Sequence, residues 1–287
     1  MEPEVYYQPP DAHDNHIRAM VRWLAIFFGT LVLIGAGLFF FAHKIVEHLP
    51  FSVEKRFVKP YEVMAGRWLS DHLGDPEVEV YLQNLTDELA VVMDLPEEMM
   101  LSVHYVDDSE ANAFATLGGH IFVLRGLVEM MPDENSLAMI LAHEISHIQH
   151  RDPIASLGRG VVLEMLLSYF AGGSRHGENL STLGGHVGLM NYSRKQESRS
   201  DLDALKALNT YYGHVAGYDY FFREMSDIHI DATIPNWLQT HPDLKDRIES
   251  LEMEIAAQAY SRGQARELPD FIAAIGSEKL PLKSDQK

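Results

Sequence analysis

The chain has 287 residues, enough for one large domain or two small ones with a sizeable core. It contains 42 acidic and 23 basic residues, so its formal net charge is −19. This balance disfavours nucleic acid or anionic lipid headgroups as the main partner, because no basic surplus exists to release counterions. The chain has no cysteine, which excludes thiolate metal sites, cysteine nucleophiles and disulfides.

The first predicted element is a transmembrane helix in residues 23–42, WLAIFFGTLVLIGAGLFFFA, a stretch without a charged residue. A helix of this length spans roughly 30 Å, the thickness of a bilayer's hydrocarbon core. A cleaved signal peptide is one alternative, but the apolar run is long and offers no A-x-A-like cleavage site. A buried core helix is the other, and the uninterrupted apolar circumference argues against it. We therefore predict an N-terminal tail at 1–22, a single membrane anchor at 23–43 and a linker at 44–59.

The flanking positive charges leave the orientation of this anchor open. Arg18 and Arg22 precede the span within five residues. Four cations follow it, three of them eleven or more residues beyond: Lys44, Lys55, Arg56 and Lys59. The total weakly favours a cytoplasmic C-terminal side, whereas the charges near the span do not decide.

Past the anchor, hydrophobic periodicity and turn residues predict a folded domain over residues 60–275, with a charged tail at 276–287. Helices are predicted at 60–73, 75–96, 187–212, 214–227 and 242–262, and a strand at 101–108. Segments 112–117 and 120–125 flank Gly118-Gly119, a hairpin signal. The apolar stretch 160–171 is too short to span a membrane, and 172–186 is typical of a loop.

The candidate chemistry lies in LAMILAHEISHIQHRD, residues 137–152, which follows helix-starting signals at Pro132, Asp133 and Asn135. His143 and His147 are four apart, so they share one helix face, and two such imidazoles can bind one Zn²⁺. Glu144 can then act as the general base. The motif fixes only three residues in five, and the chain has 15 His, so it needs a third ligand in support.

The third ligand is not His150 in a metzincin arrangement, because that pattern requires Gly where His150 stands and His where Pro153 stands. His150 is more typical of a cation near a helix C-terminus. A better candidate is NYSRKQESRSDLDALKAL, residues 191–208, in which Glu197 and Asp201 are four apart. One carboxylate could bind the metal and the other could hold a ligand histidine. A solvated charged helix face is the alternative, and spacing alone does not decide between them.

Four motifs in order resemble a known family: NAFATLGGHIFV, HEISH, Glu-x-x-x-Asp and THPDLKDRI at 240–248. The family comprises membrane-associated zinc metallopeptidases that include bacterial HtpX, the CAAX prenyl endopeptidases, the mitochondrial Oma-type protease and periplasmic BepA. The resemblance implies an α+β, mostly helical gluzincin domain with a small antiparallel sheet. It implies one Zn²⁺ per chain bound by His143, His147 and Glu197, with Glu144 as the base and Asp201 as the partner of a ligand histidine.

The resemblance also assigns a substrate-binding strand. Asn112, Ala113 and Phe114 begin the strand that lines the family's cleft, where an extended substrate can add as a further strand through main-chain hydrogen bonds. The alternative is a plain core strand.

The same comparison gives His241 and Arg247 a catalytic role, because an imidazole or guanidinium aimed at the metal could stabilise an oxyanion. Alternatively, Pro242 simply starts a helix and Arg247 pairs with a neighbouring acid.

These expectations describe a membrane-anchored zinc endopeptidase that cleaves extended or misfolded protein segments in envelope quality control. A non-catalytic membrane chaperone or scaffold is the alternative, although a binding module has no use for Glu144. A prenyl-protein endopeptidase is disfavoured by the single span. One anchor resembles the soluble-domain members of the family, so we expect a bacterial inner-membrane protein with its catalytic domain in the periplasm.

Overall fold

The structure is a computed structural model of the chain. It describes residues 12–47, 50–52, 54, 72–156, 192–227, 237, 241 and 244–277. Contacts between Cα atoms divide the chain into two units, one containing the N-terminal helix up to Ala42 and one beginning at His43. Every other element described below lies in the second unit.

Helix α1, Ala12–Glu47, contains the predicted apolar run. Its segment His16–Gly37 is long and apolar enough to cross a membrane, by length and composition. Large apolar side chains on this helix are exposed, Leu33 for 74% and Trp23 for 64% of their surface. Such exposed apolar surface suits a helix whose solvent is lipid. The boundaries 23–43 for the anchor itself stay a prediction.

Helix α2, Pro76–Val92, starts where local chemistry predicts. Asp75 caps it by accepting a hydrogen bond from the Glu77 N–H at 2.8 Å, and Pro76 takes the first helical position. Four apolar residues at helical spacing form its buried face: Val78, Leu82, Leu85 and Leu89. The predicted periodicity of this segment is therefore confirmed. Most of the predicted linker 44–59 and of the predicted helix 60–73 lies outside the described residues.

Three strands form the sheet: β1, Ser102–Val106; β2, Ala113–Ala115; and β3, His120–Leu124. Their order is β1-β3-β2, with β2 antiparallel and β1 parallel to β3. The predicted hairpin is confirmed, but the sheet is mixed rather than wholly antiparallel. The reason is topological: the chain reverses twice between β1 and β3, so these neighbours run in the same direction.

The hairpin turn depends on glycine. Gly118 and Gly119 have φ of 78° and 89°, the left-handed region that other residues rarely adopt. A Cβ on Gly119 would also lie 2.2 Å from the Met100 carbonyl oxygen. The Gly-Gly pair therefore sets the register between β2 and β3.

The remaining helices enclose the site. They are α3, Arg125–Met130; α4, Glu134–Gln149; α5, Arg194–Tyr212; α6, Tyr220–Asp227; α7, Leu244–Gln258; and α8, Asp270–Ser277. Helix α4 is the centre of the domain, since all its residues from Glu134 to Ile148 are buried. It packs against α2, β2 and, most extensively, α5.

The α+β, mostly helical class with one N-terminal apolar helix is confirmed. The predicted helix at 187–212 is described from Arg194, and the one at 242–262 from Leu244 to Gln258. The predicted helix at 214–227 begins only at Tyr220. Segments 160–171 and 172–186 lie outside the described residues, as does the tail beyond Ser277.

Candidate metal centre

Helix α4 directs two imidazoles to one point. His143 and His147 are separated by one turn, and neither side chain is exposed to solvent. Their Nε2 atoms lie 3.0 Å apart. The helix is fixed at its start by Asp133, whose carboxylate accepts a hydrogen bond from the Ser136 N–H at 2.8 Å.

Helix α5 supplies a carboxylate to the same point. Glu197 lies in its first turn, which Ser193 and Gln196 fix through a reciprocal capping box. Glu197 Oε1 lies 3.4 Å from His147 Nε2, and its Oε2 lies 3.6 Å from His143 Nε2. The ligand set implied by the family resemblance is therefore brought together.

His241 completes the group from a distant part of the chain. Its Nδ1 lies 3.0 Å from each Glu197 oxygen and 3.3 Å from His143 Nε2. One donor atom from each of His143, His147, Glu197 and His241 lies within 4.8 Å of the other three, and all four residues are buried. Imidazole nitrogen and carboxylate oxygen are donors that zinc prefers, so this set fits a metal ion. The sequence placed His241 in the site but not among the metal donors.

Glu144 lies beside these donors. One of its oxygens, Oε2, accepts a hydrogen bond from the Ala115 N–H at 2.6 Å. The other, Oε1, is buried, has no hydrogen-bond partner among the described residues and lies 3.8 Å from His241 Nε2. This carboxylate is therefore held in place by a hydrogen bond to one oxygen, while the other oxygen can accept a further hydrogen bond or a proton.

Both histidines of α4 contact a buried carboxylate through Nδ1. His143 Nδ1 lies 3.0 Å from Asp201 Oδ1, in agreement with the expected partnership. His147 Nδ1 lies 2.9 Å from Asp152 Oδ2, and the Tyr192 ring stacks on His147 with centroids 3.9 Å apart. Sequence patterns did not single out Asp152 or Tyr192, since neither lies at a helical spacing from a predicted ligand.

Arg247 faces carboxylates rather than the open side of Glu144. Its guanidinium donates to both oxygens of Asp201 and lies 2.8 Å from Glu197 Oε2. It lies between aromatic rings, 4.8 Å from the Phe222 centroid and 5.0 Å from that of Trp237. The ion pair with neighbouring acids, weighed above as an alternative, is thus formed. Pro242 lies outside the described residues.

The predicted substrate residues lie on β2 and just before it. Asn112 donates through Nδ2 to Glu110 Oε1 at 3.3 Å, away from the metal donors. Ala113 packs in the main core, whereas Phe114 stacks on Phe122 on the other face of the sheet. The β2 residue that contacts Glu144 is Ala115, which the sequence did not single out.

The electrostatics of the group favour negative carboxylates. Burial opposes ionisation of Glu197, but His241, His147 and Arg247 hold its pKa well below the usual range. Burial likewise opposes charge on Asp201, and Arg247 holds its pKa down.

The pKa values of the two histidines of α4 are shifted in opposite directions. Burial lowers the pKa of His143. Burial also opposes a proton on His147, but its hydrogen bonds to Asp152 and Glu197 raise its pKa to about 9. A metal ion must displace a proton from such a ligand, so metal binding at neutral pH should release protons.

A pair of histidines one turn apart, the glutamate between them and a carboxylate from a second helix define an HExxH metallopeptidase site. The chain belongs to peptidase family M48, whose sequence pattern matches residues 76–255, more than half of its length. The resemblance read from the four motifs is confirmed.

Relatives include "Metalloendopeptidase OMA1, mitochondrial" of Danio rerio, 28% identical over 286 aligned residues that cover 86% of this chain and 58% of the relative. A "Putative beta-barrel assembly-enhancing protease" of Vibrio cholerae is 27% identical over 219 residues, covering 70% of this chain and 42% of the relative. A "Protease HtpX homolog" of Campylobacter curvus is 26% identical over 221 residues, which cover 61% of this chain and 77% of the relative. The chain spans about half the length of the first two relatives.

Proposed function

We propose that this protein is a membrane-anchored, zinc-dependent endopeptidase that cleaves extended or misfolded protein segments. The observation that carries the proposal is the buried group of His143, His147, Glu197 and His241 with the Glu144 carboxylate beside it. The M48 family and the metalloendopeptidase names of the relatives support peptide-bond hydrolysis as the reaction.

Zinc is the metal that this donor set fits best. His143, His147 and Glu197 would hold one ion per chain, and His241 lies close enough to contribute a fourth donor. When bound, zinc supplies a Lewis acid that polarises a carbonyl group and makes water more acidic.

Glu144 is the proposed general base. Its Oε2 is fixed by the Ala115 N–H, so the buried Oε1 is held in one place, ready to accept a proton. In peptide hydrolysis this oxygen takes the proton of the attacking water and passes it to the leaving amine nitrogen. A glutamine at this position could not accept that proton.

Strand β2 is the proposed substrate platform, with Asn112, Ala113 and Phe114 at its start. Asn112 C=O and Thr116 N–H bond to β3, so the alternation of an antiparallel pair directs the main-chain groups of Ala113 and Ala115 away from β3. The Ala115 N–H already donates to Glu144 Oε2. Since β2 is the last strand of the described sheet, the other main-chain groups, those of Ala113 and the Ala115 carbonyl, could pair with an extended peptide. The Ala115 contact would place that peptide next to Glu144.

His241 and Arg247 receive different roles in this proposal. His241 Nε2, 3.8 Å from Glu144 Oε1, can stabilise negative charge on a reacting carbonyl oxygen. Arg247 acts indirectly, by holding Asp201 and Glu197 in place. Asp201 in turn orients His143.

The proposed location is the bacterial inner membrane, with residues 23–42 in the bilayer and the catalytic domain in the periplasm. The exposed apolar helix α1 supports membrane attachment. The resemblance of this single-span chain to the soluble-domain members of the family supports the non-cytoplasmic side, and a role in envelope quality control would follow from that location. A non-catalytic chaperone or scaffold remains the competing function.

The experiment uses the full chain in detergent micelles. Elemental analysis should find one zinc ion per chain, and the protein should cleave casein. Glu144→Gln should retain zinc and lose most cleavage. Full activity in Glu144→Gln would overturn the mechanism, and zinc-free wild-type protein without cleavage would favour the scaffold.

A further inference from the structure

His147 uses its two ring nitrogens for two different purposes. Nε2 faces the donor group, 3.0 Å from His143 Nε2 and 3.4 Å from Glu197 Oε1. Nδ1 points the opposite way, to Asp152 Oδ2 at 2.9 Å. Asp152 has no exposed surface, so this contact is shielded from water.

Two side chains from α5 donate hydrogen bonds to Asp152, so its carboxylate acts only as a hydrogen-bond acceptor. Gln196 Nε2 donates to its Oδ1 at 2.6 Å, and Arg199 Nη2 donates to its Oδ2 at 2.7 Å. The Arg199 guanidinium favours the ionised form of this carboxylate. An ionised carboxylate has no proton to donate, so it accepts the hydrogen bond from His147 as well. In the neutral ring that binds a metal, the proton therefore lies on Nδ1, and the Nε2 lone pair faces the other metal donors.

We propose that Asp152 is a positioning residue that fixes the ring orientation and tautomer of His147 for metal binding. The inference rests on the proposed metal site. It adds a residue that neither the HExxH motif nor the Glu-x-x-x-Asp motif contains.

The local backbone explains how Asp152 reaches the ring. Helix α4 ends at Gln149, and Arg151 adopts φ of 60°, in the left-handed region. The turn closes with the Arg151 N–H donating to the Ile148 carbonyl at 3.0 Å. It returns Asp152 toward His147, whereas a continued helix would carry that residue away from it.

Asp152 makes a better-formed contact than the predicted partner does. Asp201 lies 3.0 Å from His143 Nδ1, but within the described part of the chain that nitrogen makes no well-aligned hydrogen bond. Both Asp201 oxygens accept from Arg247 instead. Ser200 Oγ also lies 3.3 Å from His147 Nδ1. A hydroxyl can donate or accept, so Ser200 cannot dictate the tautomer.

Gln196 and Arg199 flank Glu197 on α5. Asp152 therefore ties the ligand histidine of α4 to the helix that carries the ligand carboxylate. This arrangement would hold two ligands from different helices in register before a metal ion arrives.

The test compares two carboxylates that each contact a histidine: Asp152, which is fully buried, and Asp203, whose side chain is 35% exposed. Asp203 accepts from His150 Nε2 at 2.8 Å, so it also pairs with a histidine, but His150 follows the end of α4 and is not among the metal donors. Full-length wild type, Asp152→Asn and Asp203→Asn, each in detergent, are titrated with zinc against a chelator of known affinity. We expect Asp152→Asn to bind zinc about 10–100-fold more weakly. Asp203→Asn should differ from wild type by less than about threefold.

A second readout separates positioning from general stability. Cobalt(II) added at saturating concentration reports ligand geometry through its visible absorption bands. A positioning role predicts altered bands in Asp152→Asn and wild-type bands in Asp203→Asn. If Asp152→Asn does not fold, Arg199→Gln, which removes one of the groups holding Asp152, should weaken zinc binding in the same direction.

The outcomes distinguish the two proposals. Wild-type protein that binds neither zinc nor cobalt would overturn the proposed function and this inference together. Wild-type binding with equal zinc affinity and an unchanged cobalt spectrum in Asp152→Asn would overturn the role of Asp152 alone. If Asp152→Asn does not fold, equal zinc affinity of Arg199→Gln and wild type would also overturn the role of Asp152.

Discussion

Both carboxylate oxygens of Asp201 accept hydrogen bonds from the Arg247 guanidinium, at 2.7 and 2.6 Å. Asp201 also lies 3.0 Å from His143 Nδ1, so one buried carboxylate joins an arginine of α7 to a proposed metal ligand of α4. The guanidinium offsets the cost of burying this negative charge. Arg247 therefore matters to the site through the residues it holds.

The first prediction concerns Asp201. Asp201→Asn keeps the shape of the side chain but removes the charge that pairs with Arg247 and faces His143. We expect zinc affinity to fall about 10–100-fold, as for other partners of metal-binding histidines. Chelator competition on the full-length protein measures the effect. Asp246→Asn, on an exposed residue of α7, is the control and should match wild type. If Asp201→Asn and Asp246→Asn bound zinc with equal affinity, Asp201 would contribute to packing only.

The second prediction concerns the identity of the ligands on α4. His143→Ala should remove zinc from purified protein, because it deletes one of the donors. His150→Ala is the matched control: His150 is the residue that follows the last turn of α4 and pairs with Asp203, so its removal should leave zinc content unchanged. Stoichiometric zinc in His143→Ala would exclude that residue from the ligand set.

Sequence patterns correctly predicted the elements whose structure depends on interactions between residues close together in the sequence. The 3.6-residue period located α2, the Gly-Gly pair located the β2–β3 hairpin, and the spacing of His143 and His147 predicted that both face one point. In each case the deciding interactions connect residues a few positions apart.

The features that were missed depend on distant segments or irregular backbone. The family resemblance placed His241 in the site, but not among the metal donors, because its contact with His143 joins residues 98 positions apart and no periodicity encodes it. Asp152 reaches His147 only because Arg151 takes a left-handed conformation after the helix. The parallel pairing of β1 with β3 likewise follows from the path of the chain between them. These relationships are set by tertiary packing.

The third prediction concerns pH. His104 lies 2.9 Å, Nε2 to Nδ1, from His120, and burial followed by repulsion from His120 lowers the pKa of His104 to about 4. The unfolded chain, with a pKa of about 6.5 for this group, binds more protons between these values. The contribution of neutral His104 to stability is therefore present above about pH 6.5 and lost as the pH falls toward 4.

Urea unfolding of metal-free protein at pH 7.5 and pH 4.5 tests this effect. Wild type should lose more stability over this interval than His104→Asn, which has no group to titrate at that position. Identical losses in the two proteins would show that His104 does not contribute to the pH dependence.

The fourth prediction concerns topology. With the N-terminus in the cytoplasm, a reporter that fluoresces only in the cytoplasm, fused after Lys287, should stay dark. The same reporter fused to the N-terminus should fluoresce and shows that the protein is made. A bright C-terminal fusion would place the catalytic domain in the cytoplasm, as the total count of flanking cations favours.

The last prediction concerns a buried ion pair close to the membrane anchor in sequence. Glu54 Oε2 lies 2.9 Å from Arg151 Nε, and its Oε1 accepts from the Gly118 N–H at 2.7 Å. Only 3% of Glu54 and 7% of Arg151 is exposed. This carboxylate therefore fixes both the end of α4 and the turn beside β2.

Glu54→Gln keeps the shape of the side chain and an acceptor for Gly118 but removes the charge opposite Arg151. Breaking one partner of a buried pair costs about 3–5 kcal/mol, because the remaining charge stays shielded from water. Glu129→Gln removes the carboxylate facing Arg125 in a partly exposed pair, where the loss should not exceed about 1 kcal/mol. Urea unfolding of the two full-length variants measures both losses. If the two losses were equal, the Glu54–Arg151 pair would have no special part in holding the Arg151-Asp152 turn, and the left-handed backbone there would have to be stabilised by other contacts.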